Sequence, residues 1–506
     1  MSNPEVPTSS PDRAVEAGRG ALFIGFAKAF FMVAGFLQRI LLTRVISPAD
    51  YGAFSVVNNA VSTVNNTMVQ GTIQSVSKYT AEDDARAGAV QRAGLKLQAV
   101  LATLVAGGFA LAAPLVARFV KAPEHVSLFR LVALIPLIYA FYSVFVGTAN
   151  GLRKFRLQAS FDVGFSSMKT VLLLAGAVVG RTLGHSVVGA FLGFIAAAAI
   201  ILVVAGRTIG KRSEGKRFPP FRLFGVVVYT LFINLALNYD LLLLRRFAGT
   251  AAPGAPADDL AAAYEAVRNL ALLPYQALLV VTFVIFPLVS RATFAEDREA
   301  TRAYVRQTLR YALILGVGIA VVLAARPQAL LAILYSKRYD VYGMGAQALP
   351  ILAGGIVALA LLSIAGSIVA ASGRAYVATL LVALTLAVGS AAAFAVVPRC
   401  APNAAMLSAA AGATALGMVS GLAVALAYLW RRFSALPPLL SVVRVGAAAA
   451  IAIMLARLIP GQGKVAGLAG CAASAAAFGA VLLLAGEFSA TDREKFAKIL
   501  KLKARR

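Results

Sequence analysis

Two cysteines, two histidines and one tryptophan among 506 residues leave little material for metal or redox chemistry. Cys400 falls in a predicted outer loop and Cys471 inside a predicted helix, so neither a disulfide framework nor a metal site is expected. His125 and His185 lie on separate predicted outer flanks and offer no ligand cluster. Acid is scarce as well, with 21 Asp and Glu against 48 Lys and Arg. The sequence carries no HExxH, no paired-cysteine motif and no nucleophile elbow. The stretch GQGKVAG at 461–467 lacks the GxxxxGK[ST] spacing and follows no strand, so it is not read as a nucleotide site. No connection between apolar segments exceeds about twenty residues, which leaves no room for a soluble catalytic or ATP-binding domain. The expectation is a protein with no catalytic residue, no metal and no cofactor.

What the chain has in abundance is apolar length. Hydrophobic residues make up 60% of it and charged ones 14%, and runs of about 20 apolar residues, each enough to cross a hydrocarbon core as a helix, recur almost throughout. The pattern predicts an all-α polytopic membrane protein of about fourteen helices, near 21–45, 53–77, 97–119, 129–150, 158–180, 186–206, 223–245, 262–289, 308–325, 346–371, 376–397, 404–429, 439–458 and 465–486. The first segment contains Lys28 and Arg39 and runs too long for a cleaved signal peptide, so it is expected to be retained. Of the 48 basic residues, 29 fall on the side carrying both termini, 13 on the other and 6 within helices. That bias predicts cytoplasmic termini. It also accounts for the net charge of +27 without nucleic acid, the basic loop RTIGKRSEGKR and tail KFAKILKLKARR reading as topology signals that touch anionic lipid.

The two halves echo each other. Tyr51 after LLTRVISPAD and Tyr264 in AAAYEAVRNL are 213 residues apart, as are Pro114 and Pro327, while Gly151 and Gly373 are 222 apart. Equivalent ends fall on the same side of the membrane, so the repeat is parallel, about an axis along the membrane normal. The expected organisation is a cytoplasmic segment 1–20, a six-helix bundle 21–206, a basic linker 207–222, a pseudo-symmetric six-helix bundle 223–432, two extra helices in 433–486 and a basic tail 487–506.

A charge at the centre of a span costs about 2.5 to 3.5 kcal/mol on insertion scales, so the charges present are expected to face a cavity or a partner. Lys28 and Arg39, eleven residues apart, return to within about 20° of each other on the first helix. Asp162 and Lys169, seven apart, share a side of the fifth. The second helix carries a stripe of Asn58, Ser62, Asn65, Asn66 and Gln70, and the seventh adds Asn234, Asn238 and Asp240. The eighth adds Glu265, Arg268, Asn269 and Gln276. Two readings stand for many of these. Lys28, Arg39, Lys169 and Arg268 are candidate cavity cations for an anionic cargo, with Asn58, Ser62, Asn65, Asn234 and Asn238 as polar lining. Equally, Glu265 and Arg268 are spaced to pair, Asp240 has Arg245 or Arg268 as partner, Arg310 and Arg444 lie near enough to helix ends to snorkel, and the asparagine stripe suits interhelical hydrogen bonds. The GxxxG pairs Gly176/Gly180, Gly189/Gly193 and Gly417/Gly421 read as close helix packing. Pro136, Pro274, Pro287 and Pro350 are candidate kinks.

The segments LLTRVISPADYGAFSVV, GTIQSVSKYTAEDD, GTANGLRKF, NYDLLLLRRF, AAAYEAVRNLALLPYQALLVVTFVIFPLVSRA, LLAILYSKRYD and SIVAASGRAYVATL, in that order over residues 20–430, resemble the polysaccharide transporter or oligosaccharide flippase family. That family belongs to the multidrug/oligosaccharidyl-lipid/polysaccharide flippase superfamily. The resemblance implies alternating-access translocation of an undecaprenyl-diphosphate-linked oligosaccharide, of the O-antigen type, to the outer leaflet of a bacterial inner membrane, with Asp162 and Asp240 as candidates for coupling to H+ or Na+. Helices 13 and 14 resemble the fourteen-helix members, among them lipid II flippases, which keeps that function open. A drug or cation antiporter would need acids to outnumber cations inside, and a glycan ligase or polymerase would need a loop or acid and His cluster that the chain does not show.

Overall fold

A computed structural model describes residues 11–210, 218–219, 227–278, 298–372, 374–461 and 463–488. Most of the predicted linker 207–222, the predicted eighth helix from residue 279 on with Pro287, Gly373 and the tail from 489 lie outside the described residues. All regular structure among the described residues is helical. Two compact units divide the chain, Met1–Asn238 and Tyr239–Arg506.

The first unit holds α1 (Pro11–Val45), α2 (Pro48–Glu82), α3 (Ala87–Phe119), the short α4 (Val126–Val132), α5 (Leu134–Gly151), α6 (Phe155–Thr182) and α7 (Ser186–Ile209). Residues 129–150, predicted as one span, lie within a single candidate span, Pro123–Gly151, in which α4 and α5 meet at a turn at Ala133. Pro136 has no N–H to donate to the carbonyl four residues earlier, and the helix restarts there. Between α1 and α2 the chain turns on Ser-Pro-Ala-Asp. Ser47 Oγ accepts from the Asp50 N–H at 3.1 Å and Pro48 takes the first helical position, where no N–H is required. Ser186 Oγ, at the start of α7, donates to Asp50 Oδ2 at 2.8 Å.

The division between units falls within α8 (Val227–Ala251). The second unit continues with α9 (Ala255–Ala271), α10 (Arg298–Ala325), α11 (Pro327–Leu334), α12 (Ala348–Ala371), α13 (Ala375–Val396), α14 (Ala404–Phe433), α15 (Leu439–Leu458) and α16 (Lys464–Leu484). Here the repeat diverges in detail: Pro114 is carried inside the continuous α3, whereas Pro327 starts α11 after a break at Arg326. The predicted connection 326–345 is itself largely helical turns, including Tyr339–Tyr342.

Neighbour relations recur unit by unit. In the first, α6 packs on α7 and α1, while α5 packs on α2, α3 and α7. In the second, α13 packs on α14, and α12 packs on α9, α10 and α14. Helix α8 meets α13 through Phe247 and Phe394, whose ring centroids are 5.2 Å apart. These are the relations two pseudo-symmetric six-helix bundles require.

Among the described residues, eleven helices are long and apolar enough to span a membrane, and exposed Leu and Val on α3, α6, α15 and α16 give those helices apolar outer faces. Helices α2, α8 and α9 are not among the eleven. They carry the asparagine stripe, Asp240 and the Glu265/Arg268 pair; α2 and α8 are long enough to span and are set apart by their polar content, whereas α9 is also short, at 17 residues.

Lipid supplies no hydrophobic drive for helix association, and close backbone approach through small residues takes its place. A Cβ on Gly189 would lie 2.1 Å from the Gly176 carbonyl oxygen, and one on Gly417 would lie 2.5 Å from that of Thr385. The α6–α7 and α13–α14 seams therefore admit nothing larger than hydrogen at these positions.

Helices α15 and α16 pack on each other and on α10. Val321, Val445, Ala448, Ala452, Phe478 and Leu482 form their shared core. Charges fix both ends. Arg326 donates to the Ala456, Ile459 and Gly461 carbonyls, closing the C-terminal end of α15. At the other end the snorkelling reading of Arg310 and Arg444 gives way to pairing. Glu487, 2% exposed, takes Arg310 Nε at 2.7 Å and Arg444 Nη1 at 3.4 Å. Burial pushes the Glu487 carboxyl up, but hydrogen bonds from Ser441 and Arg310 and the charge of Arg310 pull it down further, leaving it below its ordinary value.

Two outcomes follow. Gly189→Val should lower detergent-solubilised stability by about 1 to 3 kcal/mol, whereas Gly164→Val, with open space at its Cβ, should leave the melting temperature near wild type. Because the Glu487 carboxyl is depressed in the folded state, its contribution is present above the ordinary value of 4.5 and is lost as pH falls through the folded value. Melting curves of Glu487→Gln and wild type should thus differ at pH 7 and converge in stronger acid.

Candidate functional site

The candidate site residues separate into two groups, one in each unit. In the first unit, α1 and α6 lie side by side. Lys28 Nζ sits 2.8 Å from Asp162 Oδ2, the lysine side chain 44% exposed and the aspartate 12%. Two turns further along α6, Lys169 lies half-buried with its Nζ 4.6 Å from the centre of the Phe194 ring on α7, a cation–π contact. Arg39, half-buried on α1, is within electrostatic reach of Lys169. The face behind them is aromatic. Tyr139 on α5 packs edge-on against Phe165, with ring centroids 5.1 Å apart, and against Tyr142 at 5.6 Å. Residues 25–45 of α1 contain no acid and α6 contains only Asp162, so cations outnumber carboxylates on these two stretches and the one carboxylate lies against Lys28.

On α2 a buried polar row runs beside the predicted stripe. Asn59, Thr63 and Thr67 are buried and return their donors to carbonyls one turn back, at 2.7, 3.1 and 2.7 Å. Asn58, Ser62 and Asn66 are half-exposed, Gln70 is exposed and Asn65 is buried. On α8, Asn234 donates to the Thr230 carbonyl and Asn238 to that of Asn234, both at 2.8 Å. Their amide nitrogens are thus committed to their own helix, leaving the amide oxygens as acceptors.

In the second unit the charges are compensated. Arg268, 3% exposed, places Nε 3.2 Å from Asp240 Oδ1 and Nη1 2.5 Å from Glu265 Oε2. Tyr264 Oη donates to Asp240 Oδ2 at 3.2 Å, and the Leu241 N–H donates to Oδ1 at 2.9 Å. One guanidinium therefore serves two carboxylates in a buried cluster, the pairing that the i, i+3 spacing of Glu265 and Arg268 allows. Arg245 is fully buried, with Nε 2.7 Å from Asp258 Oδ1. Sequence reasoning named Arg245 only as a partner for Asp240 and passed over Asp258. A signal existed: α2 and α9 each open on Pro-Ala-Asp, at 48–50 and 256–258.

The geometry thus offers half-exposed cations over aromatic rings in the first unit and a closed ion network in the second. Residues 17–293 match the model of the polysaccharide biosynthesis protein family. The chain belongs to that family. Among solved structures, it resembles the lipid II flippase MurJ in an inward closed conformation, at 12% identity and a TM-score of 0.70, over 91% of this chain and 98% of that one. It also resembles an outward-facing MATE family multidrug transporter of the MOP superfamily, at 15% identity and a TM-score of 0.61, covering 82% and 95%. A MOP superfamily transporter from Pyrococcus furiosus matches at 14% identity with a TM-score of 0.61, covering 82% and 95%. None of the curated proteins matches the sequence. At these identities the likeness is one of fold alone, and with the candidate spans among the described residues it fits a multi-pass membrane protein.

The contrast between the units has a measurable consequence. Removing one member of a buried ion pair strands the other and costs about 3 to 5 kcal/mol. Arg245→Ala and Arg268→Ala should therefore melt far below wild type in detergent. Lys169→Ala, which loses a cation–π contact worth about 0.5 to 2 kcal/mol, should melt close to it.

Proposed function

We propose that this chain is a flippase that carries an undecaprenyl-diphosphate-linked oligosaccharide from the cytoplasmic to the outer leaflet of a bacterial inner membrane, by alternating access, in surface polysaccharide synthesis. The observation that carries the reading is the cationic excess on residues 25–45 of α1 and on α6, which carry Lys28, Arg39 and Lys169 and only one acidic residue, Asp162, itself paired with Lys28. A diphosphate needs such a set: two or more cations on one face, reachable from water, in surroundings dry enough to make each charge count. Half-exposed Asn58, Ser62 and Asn66 on α2 are suited to the hydroxyls of a glycan, and the prenyl tail needs only the lipid outside. Membership of the polysaccharide biosynthesis family supports a glycan cargo.

Both termini sit in the cytoplasm on this reading, and the inside-negative potential assists export of an anion. Each negative charge moved outward through 100 mV gains about 2.3 kcal/mol, and two phosphate charges gain about twice that. Arg268 is assigned no cargo contact, since Asp240 and Glu265 already hold it. That buried cluster, with two carboxylates to one guanidinium, is the better candidate for coupling to H+ or Na+ than Asp162, which Lys28 neutralises. A lipid II flippase is the second reading, favoured by the fourteen-helix plan and the MurJ-like fold.

Proteoliposomes loaded with fluorescent prenyl-diphosphate sugar provide the test. Lys28→Ala, Arg39→Ala and Lys169→Ala should each slow flipping by about tenfold, the loss of one charge-assisted phosphate contact, and an imposed inside-negative potential should speed the wild type. Wild-type rates in all three variants would remove the cationic face from the mechanism. Preference for a peptide-bearing lipid disaccharide over a plain oligosaccharide would favour the second reading.

A further inference from the structure

The ion pairs of this protein differ in exposure. Arg245 with Asp258 and Arg268 with Asp240 and Glu265 are buried on both sides, with side chains 8% exposed or less. Lys28 with Asp162 is asymmetric, its ammonium side chain 44% exposed and its carboxylate 12%. Asp162 lies on the packed side of the pair, on a helix whose next inward residues, Phe165 and Ser166, are buried. Tyr139 of α5 packs on Phe165, and Tyr142 on Phe161 and Phe165, so these rings back the stretch of α6 that carries Asp162. A solute reaching this face therefore meets the lysine first, with the carboxylate behind it.

We infer that Asp162 is an internal rival of the cargo anion: its carboxylate holds Lys28 when no phosphate does, and the cargo must displace it to bind. This rests on the flippase reading and deepens it by assigning Asp162 to affinity and release instead of ion coupling. Three consequences follow from elementary electrostatics. A monovalent anion gains little by exchanging places with a carboxylate of equal charge, so the pair screens out weak anions. A diphosphate, which brings more charge and also meets Arg39 and Lys169, wins the exchange. After translocation the carboxylate takes back the ammonium and helps expel the diphosphate, so tight binding does not become a trap. A cationic face without such a rival would hold its cargo longer than turnover allows.

The full-length protein in lipid nanodiscs, titrated calorimetrically with farnesyl diphosphate and with farnesyl monophosphate, tests the inference. Asp162→Asn should bind the diphosphate about tenfold more tightly, the order expected when a partly exposed ammonium loses its competitor, and should narrow the preference for diphosphate over monophosphate. The gain should vanish when Lys28→Ala is added, because Asp162 acts through that lysine. In proteoliposomes the same Asp162→Asn variant should flip more slowly despite its higher affinity. Asp162→Ser, smaller and also uncharged, reports the same quantities if the asparagine variant does not fold. Unchanged or weaker diphosphate binding in a folded Asp162 variant overturns the inference, as does a gain that persists without Lys28. If the wild type binds farnesyl diphosphate and Lys28→Ala weakens it while neither Asp162 variant tightens it, only the rival role falls. Absence of saturable binding in every variant removes the flippase reading with it.

Discussion

A charge inside a membrane-spanning bundle must be matched, and how each one is matched decides what this protein does with it. Four carboxylates neutralise cations within the second unit: Asp258 holds Arg245, Asp240 and Glu265 hold Arg268, and Glu487 gathers Arg310 and Arg444. Each of these acids is nearly inaccessible, so replacing its partner leaves a charge that water cannot reach. Asp258 and Glu487 with their arginines are fixtures of the fold. The first unit is built otherwise, with Asp162 the one carboxylate in residues 25–45 of α1 and in α6, and with Lys28, Arg39 and Lys169 half-exposed. Compensation that is complete in one unit and partial in the other is a functional difference imposed on a shared architecture.

That architecture is nearly the same twice. Central α5 and α12 make equivalent contacts, glycine seams join α6 to α7 and α13 to α14, and both second helices start on Pro-Ala-Asp. Backbone-to-backbone approach at Gly176 and Gly189, or at Gly389 and Gly417, needs no particular polar chemistry. Duplication could therefore keep the packing while the side chains facing inward diverged. The aspartates of the two Pro-Ala-Asp turns illustrate this: Asp50 accepts a hydroxyl from Ser186, whereas Asp258 accepts a buried guanidinium. The outer two helices follow a different rule, held to α10 by a small apolar core and by arginines at both ends.

Much of this was legible in the sequence because the membrane constrains it. Apolar length marks the spans, small residues at four-residue spacing mark the seams, and i, i+3 spacing announces Glu265 with Arg268. The breaks at Ala133 and near Pro274 were foreshadowed by proline, but helix ends were not, and α9 and α10 start seven and ten residues before the apolar pattern does, at Ala255 and Arg298. Polar and charged residues extend those helices past the lipid-like stretch, where hydropathy is blind. Pairings between distant segments were beyond periodicity altogether. Nothing local in the chain joins Lys28 to Asp162, or Arg310 to Glu487. Arg310 and Arg444 looked like snorkelling residues because their counter-charge lies more than forty positions away, just beyond the last span.

The exposure of a pair, more than its existence, separates structure from function here. Arg245 and Lys28 both sit on helices that cross the membrane and both touch an aspartate oxygen within hydrogen-bonding distance. Arg245 is sealed, so its partner can never be exchanged, and the pair serves only to fix α8 to the start of α9. Lys28 remains reachable, so the free energy of its pair is a threshold that an incoming anion has to exceed. A transporter of anions needs that threshold to be low enough for its cargo and too high for simpler ions. An ion pair screened on one side, with Arg39 and Lys169 on the same two helices, sets it between those limits.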